Sequence, residues 1–478
     1  MNSQDMFDGV TDIRDDLIDG AQKAPKKQRR PAKKIWLGAV AAVLVLAILA
    51  GIFLRPGGGL TAYAIAEAQY PEMAPYPGEP HTEAEFNAWW ESMRAQRRDL
   101  GDISSLESFC ARSAQTFLTG AEGENRVYSP LNVYMALSML AQLTDGESRG
   151  QILTLLGSGS MDALRRQASD VWNANYRDDG ALTSILAGSL WLDENVTFHQ
   201  DTMDILARDF YASSYRGEMG SKAFDKLLQD WLNEQTGGLL EEQAGNIELD
   251  RDTVLALATT VYFKAKWYSG FSKERTAPET FHTPSGDVET DFMHQKDDDT
   301  YYWGSKFAAV GQFFEEGGGS AMWFLLPDEG VTPEELLSDR EAMDVLLTGQ
   351  RNQWENQKYL IVNKSIPKFD VSSQFDLKEG LQAMGVTDVF DPAVSDFTPM
   401  TTGVDAPIIL SQASHAARVV IDEEGCTAAA FTVMPYAGAA PPPDEEVDFV
   451  LDRPFLFCIT GGSGLPLFVG IVNCPAGS

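Results

Sequence analysis

Three patterns of hydrophobic and polar positions divide the chain. Residues 1–34 are polar and end in a basic block of Lys23, Lys26, Lys27, Arg29, Arg30, Lys33 and Lys34. Ile35–Leu54, IWLGAVAAVLVLAILAGIFL, then runs for twenty residues without a charge. At 1.5 Å per residue such a helix is about 30 Å long, enough to cross a hydrocarbon core. Positive charge crowds its N-terminal side and only Arg55 follows closely. The pattern therefore predicts a single transmembrane signal anchor at 35–54, with 1–34 in the cytoplasm and the remainder outside the cell membrane. The alternative is a secreted protein, released by cleavage at the small residues Ala62 and Ala64. Pro56 and Gly57–Gly59 break the run, and PEMAPYPGEP at 71–80 resists regular structure. Residues 55–104 read as a stalk or linker, with one short helix around Phe86, Trp89 and Trp90.

From 105 to 475 the pattern is that of one large domain, helical first and strand-rich later. Leu106, Phe109, Cys110 and Phe117 share one helical face, as do Met161, Leu164, Ala168, Val171 and Trp172. Ser129 before Pro130 is a cap followed by a first-turn proline, opening the apolar LNVYMALSMLAQL at 131–143. Gly157 closes the next helix. A third stripe, at 224–233, carries Phe224, Leu227, Leu228, Trp231 and Leu232. SLWL (189–192), TVLALATTVYF (253–263), SAMWFLL (320–326) and RVVI (418–421) read as strands. FVLDRPFLFCIT (449–460) and PLFVGIVN (466–473) read as a hairpin around GGSGL. Helices followed by antiparallel strands give an α+β class with more than one sheet.

Composition narrows the function. With 37 basic and 70 acidic side chains the chain carries −33, a field that repels nucleic acid. Its five histidines form no H-E-x-x-H group, no G-x-S-x-G elbow occurs, and the glycine clusters at 317–319 and 461–464 lack a phosphate-loop lysine. Neither a catalytic set, a cofactor site nor a metal site is expected. The four cysteines define no redox framework. The unusual segment is EEGCTAAAFTVMPYAGAAPPPDEE at 423–446. In a strand, Cys426, Ala428, Ala430 and Thr432 would face one side and Thr427, Ala429, Phe431 and Val433 the other. Such small groups could enter an existing sheet without overpacking it; a flexible surface loop is the bland alternative.

Several motifs in order resemble the serpin family across 105–475. NRVYSPLNVYMALSMLAQLTDGESRGQILTLLG (125–157) resembles its early helical signature, and DWLNEQTGGLL (230–240) and VYFKAKWYSGF (261–271) two further motifs. SAMWFLLP (320–327), IPKFD (366–370), VTDVFDPAVSDFT (386–398), HAARVVIDEEGCTAAAFT (415–432), DRPFLFCI (452–459) and LFVGIVNCP (467–475) continue the series. With its apolar run, the chain resembles a membrane-anchored, bacterial-type member of that family.

The resemblance implies three β-sheets, about nine helices and an exposed reactive-centre loop within 423–446, all preceded by the transmembrane helix. It implies a monomeric suicide-substrate inhibitor of an extracytoplasmic serine protease, or of a cysteine protease, which is trapped covalently while the cut loop enters the sheet. The alternative is a non-inhibitory binding module or a protease substrate. Partners would be that protease and, through 35–54, the lipid bilayer. By position, Glu423, Gly425, Cys426, Thr427, Ala428, Ala429 and Ala430 match the hinge. The cleaved bond falls at Ala439–Ala440, suiting an elastase-like enzyme, with Tyr436 and Gly438 as alternatives. Asn125, Ser129 and His415 match the polar shutter and Trp267 the breach, where the loop first enters. Asn132 and Thr259 depart from the usual shutter residues. Pro435 lacks the N–H that a central strand needs.

Overall fold

The computed structural model describes residues 63–78, 81–245, 247–314, 319–348, 354–402, 404, 407–411, 413–426 and 443–476. The chain divides into two compact units, Met1–Thr61 and Ala62–Ser478, and every described residue belongs to the second.

Among the described residues seventeen strands form two sheets. The first has the order β1 (Ala64–Ala66), β5 (Ala212–Gly217), β4 (Leu182–Asp193), β6 (Leu255–Lys266), β14 (Gly425–Cys426), β13 (Ser414–Ile421) and β12 (Phe369–Asp376), with β3 (Arg177–Asp178) paired to β4. The second runs β15 (Glu446–Val450), β11 (Gln357–Pro367), β8 (Gly286–Trp303), β9 (Phe307–Phe313), β10 (Ala321–Pro327), β16 (Phe455–Thr460), β17 (Pro466–Val472) and β2 (Arg126–Tyr128), with β7 (Ala277–Thr283) on β8.

The α+β class stands, but the count of elements is corrected. In place of three sheets and nine helices, the described residues form two sheets and eleven α-helical segments. The physical reason lies in β8. Its eighteen residues pair with β7 up to Phe292 and with β11 from Phe292 onward, so one ladder continues where two sheets were expected. The terminal hairpin is also shorter than its pattern. Phe449 belongs to β15 at the edge of the second sheet, and only Phe455–Thr460 pairs with β17.

The membrane readings are corrected too. Among the described residues no helix is long and apolar enough to cross a membrane. The longest have fifteen residues, about 22 Å at 1.5 Å each, short of a bilayer core. The apolar run 35–54 lies outside the described residues. The preceding transmembrane helix, the membrane-anchored bacterial-type assignment, the bilayer partner and the single-pass localisation therefore have no support and are withdrawn.

Helices cover the first sheet. Ser129 caps Pro130–Leu143 by accepting from Asn132 N at 3.3 Å, and thirteen of that helix's fourteen residues are buried, packed on β6 and β17. Ser221 caps Lys222–Gln235, which buries Phe224, Leu228, Trp231 and Leu232 over β4 and β6. A Cβ on Gly237, in the following turn, would meet the Tyr262 hydroxyl at 2.7 Å, so Tyr262, and with it Thr260, points toward this helix.

Part of 55–104 packs on this framework. Ala64 in β1 pairs with Tyr215, and Tyr76 N donates to Asp179 O at 2.7 Å. The Tyr70 ring lies 5.2 Å from Trp172 and 5.8 Å from Tyr176. Thr82 and Glu85 form a capping box for the helix Glu83–Gln96, whose Trp89 is 1% exposed and donates from Nε1 to Asp179 Oδ2 at 2.8 Å. Removing that ring by Trp89→Ala should cost about 3 kcal/mol in urea unfolding. An unchanged midpoint would make the segment a loose tether.

Candidate functional site

The candidate site is the passage from β13 into the hinge. After Ile421 the chain turns back: Asp422 Oδ1 accepts from the backbone N–H of Glu424 at 2.8 Å and of Gly425 at 3.1 Å. This local turn delivers β14 between β13 and β6, with Ile421 opposite Cys426, Cys426 opposite Ala265 and Gly425 opposite Lys266. Gly425 is needed for close approach, since a Cβ there would run into the Ala265 carbonyl and reach 2.7 Å from Lys266 Cα.

Trp267 holds the turn from the β6 side. Its backbone N donates to Glu424 O at 3.0 Å, its indole Nε1 donates to Asp422 O at 2.8 Å, and its ring stacks on Phe314 at 4.6 Å. Glu423 is 6% exposed, with Thr276 Oγ1 at 2.8 Å and Lys368 Nζ at 3.2 Å. Burial pushes its carboxyl up, but hydrogen bonds from backbone, Thr276 and Lys368 outweigh this and hold it below the usual carboxylate range. Glu424 pairs with Lys273 at 2.5 Å.

Below this seat no described strand lies between β6 and β13, a lane in the described part of the first sheet. Among the described residues β14 touches β6 only at 265–266 and β13 only at 421, and no ladder joins β6 to β13. Beneath the lane, Ser129 N donates to His415 Nε2 at 3.2 Å, and Asn132 Nδ2 donates to Thr259 O at 3.3 Å. Burial alone pushes His415 down to about 4, so its ring is neutral and Nε2 is an acceptor. Tyr128 meets this ring edge-on at 5.3 Å, and Phe375 stacks on it.

The structure thus brings Ser129, Asn132 and His415 together under the lane, and Glu423, Gly425, Cys426 and Trp267 at its end. Asn125 engages elsewhere: its Oδ1 accepts from Asn473 N at 2.7 Å and Cys474 N at 2.9 Å, and its Nδ2 donates to Cys474 O. Thr427, Ala428, Ala429, Ala430, Ala439 and Ala440 lie outside the described residues. Sequence reasoning missed Thr276, Lys368 and Phe314 as parts of the seat. Lys368 stood within a recognised motif, whereas Thr276 and Phe314 carried no signal. Among the described residues Cys110, Cys426, Cys458 and Cys474 form no disulfide.

A turn seated between β13 and β6, two strands that share no ladder among the described residues, and a buried polar cluster beneath them mark the α+β scaffold. The family model described as Serpin (serine protease inhibitor) matches residues 104–475, and the chain belongs to that family. The scaffold is non-catalytic and the protein is not an enzyme. Serpin-ZX of Arabidopsis thaliana is 28% identical over 374 residues, 75% of this chain and 94% of its own length. The thermophilic serpin tengpin in its native state superposes with TM-score 0.70 at 22% identity, covering 79% of this chain and 96% of tengpin. Human thyroxine-binding globulin complexed with thyroxine gives TM-score 0.66 at 20% identity, covering 78% and 100%.

Two outcomes test the site. Gly425→Val should unseat the hinge, so that alkylation of Cys426, 2% exposed in the native seat, becomes roughly tenfold faster or more by mass spectrometry; an unchanged rate would mean that the close approach is not needed. For His415, the unfolded ring takes a proton from about pH 6.5 downward and the folded ring only near 4. Stability should therefore fall as pH drops through that window, by on the order of 3 kcal/mol, and His415→Gln should flatten the dependence.

Proposed function

We propose that the protein is an irreversible suicide-substrate inhibitor of a serine protease accepting small residues. The protease attacks Ala439–Ala440, forms an acyl-enzyme, and is carried away as the hinge side of the cut loop enters the lane. The carrying observation is the seat itself: a turn already paired on both sides, at the end of two strands, β6 and β13, that share no ladder among the described residues. No cofactor or metal enters this mechanism.

The register supports a full strand. If the cut loop continued the pairs Cys426↔Ala265 and Cys426↔Ile421, Ala428 would come between Phe263 and Val419, and Ala430 between Val261 and Ala417. Thr432 then arrives between Thr259 and His415, where its N–H takes the carbonyl now held by Asn132. Small inward residues thus meet the large ones of the sheet. Phe431, the bulky exception, comes between Thr260 and Ala416 on the outward face, over a cleft lined by those two residues with Leu228, Leu232 and Leu240. Trp267 N donating to Glu424 O makes even-numbered loop residues bond to β6 and odd-numbered ones to the β13 side. Pro435 would accordingly face position 412, before β13 begins at Ser414, so its missing N–H falls beyond the ladder. On this reading Ser129, Asn132 and His415 latch the lane, Asn125 steadies the chain end behind it, and Trp267 guides entry.

The comparisons taken alone favour a more modest reading, a binding module or a protease substrate, since a thyroxine-binding globulin shares the fold. The two separate cleanly. Incubation with a pancreatic-type elastase should give a covalent complex that survives boiling in detergent. Cys426→Arg should abolish that complex while the loop is still cut. Clean cleavage of 436–443 with full release of active enzyme, across a panel of serine proteases, would leave the binding reading.

A further inference from the structure

One large cavity takes no part in loop insertion. It encloses about 690 Å³, within the roughly 300–1,000 Å³ typical of small-molecule sites. One wall is the segment 93–103, and the others come from the end of helix Met161–Asn175, from β3 and β4, and from the turns at 319–320 and 462–463. Arg177 lines it and is only 4% exposed. Its Nε donates to Asp179 Oδ2 at 2.7 Å, an oxygen that also takes Trp89 Nε1. Its Nη1 and Nη2 have no hydrogen-bond partner among the described residues. A buried guanidinium fork whose two terminal nitrogens meet neither solvent nor a partner is costly unless something reaches them.

The lining around that fork is selective. Ser184 Oγ, 2% exposed as a residue, and Gln96 Oε1 are likewise buried without a hydrogen-bond partner. Arg97 and Arg98 add positive charge, whereas Asp99 is the sole acid of the lining. Arg98 is engaged with Asn173 Oδ1 at 3.3 Å and Arg97 lies over the Trp90 ring, so both sit at the rim as a field rather than as direct ligands. Asp179 beside Arg177 and Asp170, 3.9 Å from Arg98, balance much of this charge, so the two unpartnered terminal nitrogens of Arg177 rather than the net field single the site out. Met93, Leu100, Ile103, Tyr176 and Leu182 supply an apolar wall beside it.

We propose that this cavity binds a small amphipathic carboxylate. The carboxylate lies bidentate on Nη1 and Nη2 of Arg177 and accepts from Ser184 Oγ, and the apolar body lies along the wall from Leu100 to Leu182. Gln96 completes the set by turning its amide NH2 to the anion. Because 93–103 forms one wall, the ligand fastens that segment to the domain and raises thermal stability by linkage. The inference is independent of loop insertion.

Decanoate is the probe, with 1-decanol as its uncharged match, read on the full chain by calorimetry and thermal melting. The expected result is one saturable decanoate site, a rise in melting temperature with decanoate, and binding of decanol weaker by about tenfold or more. Arg177→Met should weaken decanoate by at least about tenfold. Since that change leaves Asp179 without its partner, Leu100→Trp, which fills the cavity from the turn, serves as the second variant and should abolish binding without lowering the melting temperature. Absence of saturable decanoate binding, equal affinity for decanol, or wild-type affinity in both variants would overturn the proposal.

Discussion

Among the described residues β6 and β13 share no ladder below Cys426, and that boundary is the constraint around which the rest of the described structure is arranged. A strand edge inside a sheet holds N–H and carbonyl groups that a ladder would satisfy, and an exposed edge is a template for whatever strand comes next. Everything around the lane either bounds it or manages its entrance. The buried helix Pro130–Leu143 forms its floor, and the helix Lys222–Gln235 with its following turn lies over β6 on the other side. Arg418 Nη1 of β13 donates to Leu239 O in that turn, so the cover is tied to both sides of the lane. A strand entering between them adds about 4.8 Å of width, which stretches this tie.

The entrance is held by charge and aromatic packing rather than by loop length. Asp422 makes the reversal, Trp267 stacks under it, and Glu423 is pinned by Thr276 and Lys368. Beneath the lane the polar contacts are few and neutral. Asn132 supplies the amide from the helix side, where Thr259 contributes only its backbone carbonyl.

Much of this was legible in the sequence. The apolar helices, the Ser129–Pro130 cap, the strand β6 and the turn around Gly425 follow from local pattern and from ordered motifs, whereas the Ser221 cap appears only in the structure. What was not legible depends on distant pairing. The second sheet is continuous because β8 runs through Asp297, Asp298 and Asp299, a stretch whose composition argues against a strand, yet each aspartate pairs in register with β11. Lys368 reaches Glu423 across fifty-five positions. No sequence pattern singles out Arg177, and only the fold encloses it. The segment 55–104 reads as a stalk because Pro and Gly dominate it, whereas Tyr70, Tyr76 and Trp89 find partners that no local signal announces. Asn125 is placed by the C-terminal strand, three hundred and forty-nine positions from Cys474.

The central claim is that the lane accepts the chain that follows Cys426. Its most direct measurement is the thermal transition of the protein before and after the loop is nicked between 436 and 443, with both fragments retained. Strand entry predicts a large upward shift, of tens of degrees, with amide protons of 428–434 becoming strongly protected from exchange. A transition that stays in place, with those amides exchanging freely, would contradict the account.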